Sequence, residues 1–72
     1  MTDAAVAAVA RLLGTGPESV SATVPFTDLG LTSAQLARLT AVLEDALGVE
    51  ISLTDLYDHP DIDRLVDHLE LR

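Results

Sequence analysis

The chain has 72 residues, of which 12 are acidic and 4 basic, giving a formal net charge of −8, and 49% of them are apolar. That length allows one small hydrophobic core, and the lysine-free acidic composition excludes the Lys and Arg clusters that hold a phosphate backbone, so no nucleic-acid partner is expected. Absence of cysteine removes disulfides, thiolate metal sites and a catalytic thiol, and the longest apolar run, Ala4 to Ala10, is far short of the about 20 residues that cross a bilayer.

These features predict a soluble, cytoplasmic protein with no membrane partner. Its charge, which makes copies repel one another, predicts a monomer. The apolar residues are mainly Ala, Leu and Val, with Phe26 and Tyr57 as the aromatics. Such a core forms where helices meet along Leu and Val stripes, since sheets favour alternating aromatic and β-branched residues.

In chain order, Ala4 to Leu13 predicts a first helix with Val6, Val9, Leu12 and Leu13 inward, Thr2 or Asp3 as its cap, and Gly14 as its end. From Thr15 to Leu31, Gly16, Pro17, Pro25 and Gly30 break every helical period. This stretch reads as a long loop pinned by Val20, Val24, Phe26 and Leu29, and loops of that length in small domains tend to be functional.

A second helix is predicted over Ser33 to Leu47, with Leu36, Leu39, Leu43 and Leu47 on one face and Gly48 as its stop. Thr32 and Gln35 have the spacing of a reciprocal capping box, which leaves the Ser33 hydroxyl free. A short helical turn follows over Leu53 to Tyr57, opened by Ser52. The last helix begins near Pro60 or Asp61 and buries Ile62, Leu65, Val66 and Leu69. The fold class is therefore all-α: a four-helix bundle of three main helices and one short one, with a long first loop, forming a single domain over residues 1–72.

The chain is poorly equipped to be an enzyme. A nucleophilic serine needs a base within hydrogen-bond reach and a third group to orient that base, and nothing places His59 or His68 beside Ser33. His59, before a proline, reads as a turn or capping residue, and His68 as a solvent-facing helix residue. Asp55, Asp58, Asp61 and Asp63 invite a calcium reading, but a loop opened at Asp61 puts Leu65 and Val66 where an oxygen ligand and a glycine belong. These acids suit the first turns of two helices and a solvated face. Ser33 remains as a hydroxyl at a helix start, where unpaired N–H groups and partial positive charge favour an attached phosphoryl group.

The stretch Phe26-Thr-Asp-Leu-Gly-Leu-Thr-Ser33 resembles the modification site of acyl and peptidyl carrier proteins, whose pattern is a Phe, an acid and Leu-Gly ahead of Asp-Ser-Leu. Leu47-Gly48-Val49 with Ile51, and Leu56-Tyr-Asp-His-Pro60 with Ile62 and Leu65, also resemble later parts of that family, so the likeness covers essentially the whole chain. The resemblance implies that Ser33 receives 4′-phosphopantetheine from coenzyme A through a separate magnesium-dependent phosphopantetheinyl transferase. It further implies a non-catalytic carrier whose acquired thiol holds acyl or aminoacyl groups as thioesters. The implied partners are a loading acyltransferase or adenylating enzyme and a ketosynthase or condensation enzyme.

Two positions depart from the pattern: Thr32 stands for the Asp and Ala34 for the Leu around Ser33. They keep open an alternative, an unmodified carrier-like helical module that works only by protein contact. By the resemblance, the helix after Ser33 is the docking surface, and Thr32, Ala34, Gln35, Arg38, Ala41, Val42 and Asp45 are its expected contact residues. That face is mixed rather than acidic, which predicts weak charge steering and apolar contact around Ala41 and Val42. In the family that the chain resembles, fatty-acid carriers present acids along this helix, so the resemblance implies a carrier of polyketide or nonribosomal-peptide assembly rather than of fatty-acid synthesis. The start at Met1 and the absence of a flanking linker rich in Pro, Ala or Gly favour a discrete protein, and a domain trimmed from a larger synthase would read the same way.

Overall fold

The structure, a computed structural model, describes residues 1–71. Four helices are present: α1 (Thr2–Leu13), α2 (Ser33–Leu47), α3 (Leu53–Asp58) and α4 (Ile62–Glu70). No strand occurs among the described residues. All four helices close on one core, in which Phe26, Leu39, Leu43, Ile62, Leu65 and Val9 are almost wholly removed from water. α1 packs mainly on α2 and also on α4, while α3 lies against α2.

The start and inward face of α1 differ from expectation. Its cap is Met1, which makes no side-chain capping bond, so Thr2 and Asp3 lie inside the first turn. Its buried residues are Ala5, Ala8, Val9 and Ala10, whereas Val6, Leu12 and Leu13 are only half-buried at the edge of the core. Alanines on that face let α1 approach its neighbours closely, and the leucines of α2 and α4 supply the bulk.

The segment between α1 and α2 is also more ordered than a loop without helical period. It contains two 3-10 turns, Pro17–Ser19 and Phe26–Leu29. Pro17 opens the first and Pro25 caps the second, each fixing φ where a short turn needs it. The Phe26 N–H donates to the Pro60 carbonyl at 2.8 Å, and the Asp63 N–H donates to the Ala22 carbonyl at 3.0 Å. The second bond also satisfies a backbone donor that the first turn of α4 leaves unpaired. Val20 and Phe26 are buried and Val24 and Leu29 half-buried, the pinning that the sequence predicts.

α2 runs over the residues predicted for it. Leu36, Leu39 and Leu43 are buried, each stabilising the fold by roughly 1.5–3 kcal/mol of transfer free energy. Gly48 ends the helix at φ 69°, a left-handed conformation that costs glycine least. α4 starts at Ile62 with Asp61 as its cap and buries Ile62, Leu65, Val66 and Leu69, as its spacing predicts. Asp61 is itself buried: one carboxylate oxygen accepts the Arg64 N–H at 2.8 Å, and the other lies 3.5 Å from Arg64 Nε.

Candidate functional site

The site is assembled at the junction of the long loop and α2. The turn Phe26–Leu29 is fastened by the buried Phe26 ring and by its bond to Pro60. Gly30 then takes φ 88°, a left-handed conformation available to glycine without strain, and redirects the chain. Leu31 re-enters the core, and Thr32 emerges as the cap of α2.

The cap is the reciprocal box expected from Thr32 and Gln35. Thr32 Oγ1 accepts the Gln35 N–H at 3.2 Å, and Gln35 Oε1 accepts the Thr32 N–H at 2.9 Å. Capping is thus complete without Ser33. The Ser33 side chain is exposed, and its hydroxyl bonds to no described residue. The Ser33 and Ala34 N–H groups belong to the first turn, where no intrahelical acceptor exists, and the first turn carries no acid. An anionic ester on Ser33 would therefore meet unpaired donors and the positive end of the helix dipole, with no carboxylate against it.

Of the other residues assigned to this face, Thr32, Ala34, Arg38, Ala41 and Asp45 are exposed. Two are placed differently from expectation. Gln35 is half-buried and its amide oxygen is used in the cap, while Val42 is half-buried and packs on the core, because both lie where the exposed face turns towards the leucine stripe. Sequence reasoning also missed Leu53 and Tyr57. They lie four residues apart on α3 and are exposed, although apolar residues on a short helix suggest core contact. Only Leu56 on that helix faces inward, and nothing in the sequence separates it from its neighbours.

His59 is the C-cap of α3, its N–H donating to the Asp55 carbonyl at 2.9 Å, in keeping with a capping role. His68 is not simply solvent-facing. Its half-buried ring stacks on that of His59 with centroids 4.1 Å apart and planes 18° from parallel, and its Nε2 lies 3.5 Å from Asp55 Oδ1. Neither imidazole bonds the Ser33 hydroxyl. Among the described residues, no group of three His, Cys, Asp or Glu side chains is arranged to hold a metal ion, and no helix is long and apolar enough to cross a membrane.

An all-helical bundle with this loop, cap and short third helix has the fold of carrier proteins. A free-standing peptidyl carrier protein from a secondary metabolic pathway of Acinetobacter baumannii superposes with a TM-score of 0.82 at 30% identity, covering 99% of this chain and 91% of that one. The chain belongs to the phosphopantetheine attachment site family, whose profile matches residues 3–69. The family's group is 4′-phosphopantetheine, held covalently, and the chain is a carrier domain of that kind.

The chain is similar to segments of much larger proteins. It is 40% identical over 62 residues to polyketide synthase GfsA of Streptomyces halstedii and 37% identical over 62 residues to erythronolide synthase EryA3 of Saccharopolyspora erythraea. Each alignment covers 85% of this chain, which spans only 1% of the first relative and 2% of the second.

Proposed function

We propose that Ser33 is the attachment residue and that the chain, with no catalysis of its own, presents acyl or aminoacyl intermediates to enzymes of polyketide or nonribosomal-peptide assembly. The observation that carries this reading is the exposed, unbonded Ser33 hydroxyl at the first position of a helix capped by its neighbours. The Ser33 oxygen forms a phosphoester with the phosphate of the pantetheine arm, the pyrophosphate bond of coenzyme A breaks, adenosine bisphosphate leaves, and the hydroxyl proton passes to the transferase or solvent. When bound, the group supplies a terminal thiol on which cargo is held as a thioester.

This chain's own residues orient and expose that oxygen. The Thr32–Gln35 box fixes the helix start, and the free N–H groups of Ser33 and Ala34 face the new ester's negative charge. Thr32, Ala34, Arg38, Ala41 and Asp45 form the contact surface, with Gln35 and Val42 supporting it from its edge. Names of the relatives support polyketide synthesis, and that of the structural neighbour supports peptide synthesis. On this reading the partners are a phosphopantetheinyl transferase, a loading acyltransferase or adenylating enzyme, and a ketosynthase or condensation enzyme. The setting is cytoplasmic and the carrier acts as a monomer.

The test is intact-protein mass spectrometry after incubation with coenzyme A, magnesium and a broad-specificity phosphopantetheinyl transferase. Wild-type protein should gain one phosphopantetheine group and Ser33→Ala none, with unchanged helicity by circular dichroism. Failure of several transferases to modify folded wild-type protein would favour the unmodified docking module instead.

A further inference from the structure

Charge is unevenly spread along this chain in a way the carrier reading does not require. All 12 acids lie outside residues 29–43, and within that stretch the single charge is Arg38. The stretch is closed by Asp28 on one side and by Glu44 and Asp45 on the other. In a domain of net charge −8, Ser33 thus lies inside the longest acid-free stretch, and the other long one, residues 4–17 around Arg11, belongs to α1 and the loop after it.

Arg38 and Asp45 are seven residues apart, two turns of α2, so they share one stripe about 10 Å apart along the axis. Both are exposed, Ala41 is exposed between them, and neither charge is paired with a described residue. The stripe is thus a fixed dipole, positive towards Ser33 and negative towards the far end of the helix. A protein that reaches the Ser33 oxygen with a standard contact of about 800 Å² per side covers a patch roughly 30 Å across, which takes in both charges when it extends from Ser33 along α2.

Resting on the carrier reading, we infer that the transferase modifying Ser33 meets α2 with a carboxylate opposite Arg38 and a cation opposite Asp45. A uniformly basic surface would face Arg38 with like charge, and a uniformly acidic one would be repelled both by Asp45 and by the domain's net charge. Ala34 and Ala41, small and exposed, let that surface come close enough for the two pairs to form. The dipole sets the direction in which the partner lies along the helix.

The experiment measures kcat/KM for phosphopantetheine transfer to wild-type protein, Arg38→Glu, Asp45→Lys and the double reversal, using a transferase that modifies the wild type. Circular dichroism confirms the fold of each variant. Each single reversal should lower kcat/KM by about tenfold, mainly through KM, with smaller losses at high salt, where exposed charges are screened. The double reversal should be worse than either, because it turns the dipole round. An Arg38→Glu variant as good as or better than wild type would overturn the inference, and so would an Asp45→Lys variant that gains. If none of several transferases modifies folded wild-type protein, the carrier reading fails and this inference with it, an outcome distinguishable because every variant is then silent as well.

Discussion

α2 and α3 open with the same reciprocal capping device, built from different chemistry. At α2 the box is uncharged: Thr32 and Gln35 satisfy one another's backbone, and the following Ser33 side chain is left exposed and unbonded. At α3 the partner of Ser52 is Asp55, which accepts the Ser52 N–H at 3.0 Å through one oxygen and lies 3.5 Å from His68 through the other. One box therefore ends at its own helix, whereas the other reaches across to α4. The contrast follows from how each helix is held. α2 buries three leucines and needs no further tie, while α3, six residues long, buries Leu56 alone.

The strongest way to break this comparison is to remove the buried leucines. Leu39→Ala should cost about 2–5 kcal/mol, seen as a lower midpoint in urea unfolding of the whole domain. Leu56→Ala should cost less, because loosening can be confined to α3. Amide exchange over residues 53–58 should rise while α2 stays protected. Equal global losses in the two variants would show that α3 is as integral to the core as α2.

A smaller effect separates the boxes themselves. Thr32→Ala and Ser52→Ala should each cost about 1 kcal/mol in urea unfolding, the usual loss for a Ser or Thr cap. Thr32→Asp should keep the stability, since an acid caps as well and favours a helix N-terminus. Modification of Ser33 in that variant should be unimpaired or faster, followed by the time course of mass increase. A large loss of modification would count against the cap as the reason Thr is accepted at this position.

What could be read from the sequence divides along the same line between local and tertiary causes. α2 and its box were legible residue by residue, because leucine spacing, Thr32, Gln35 and Gly48 are all local signals. The face of α4 was legible for the same reason. The start of α1 was not, because Met1 caps through its backbone carbonyl and gives no side-chain signal. Its alanine face was hidden because periodicity is read from large residues, while close approach is made by small ones. At the site, the exposed Ser33 could be anticipated from its cap, but the half-burial of Val42 and the exposure of Leu53 and Tyr57 depend on where α2 and α3 lie in the bundle. The His59–His68 stack joins residues nine apart across a proline turn, so only the fold brings it together.

The smallest expected effect compares two contacts of the Asp55 carboxylate, the one to the Ser52 N–H and the one to His68. Asparagine keeps an oxygen that can accept the Ser52 N–H but carries no charge opposite His68, whereas alanine loses both. Asp55→Ala should therefore cost about 1 kcal/mol as a lost cap partner, and Asp55→Asn no more than about half of that, since a partly exposed carboxylate–imidazole contact at 3.5 Å contributes little beside the cap. Urea unfolding at neutral pH compares the two directly. Equal losses would mean that the tie to α4, and not the cap, is what Asp55 contributes. The contrast with α2 would then be one of function for the whole box, because the device that frees Ser33 at one helix would serve at the other only to place a carboxylate beside an imidazole.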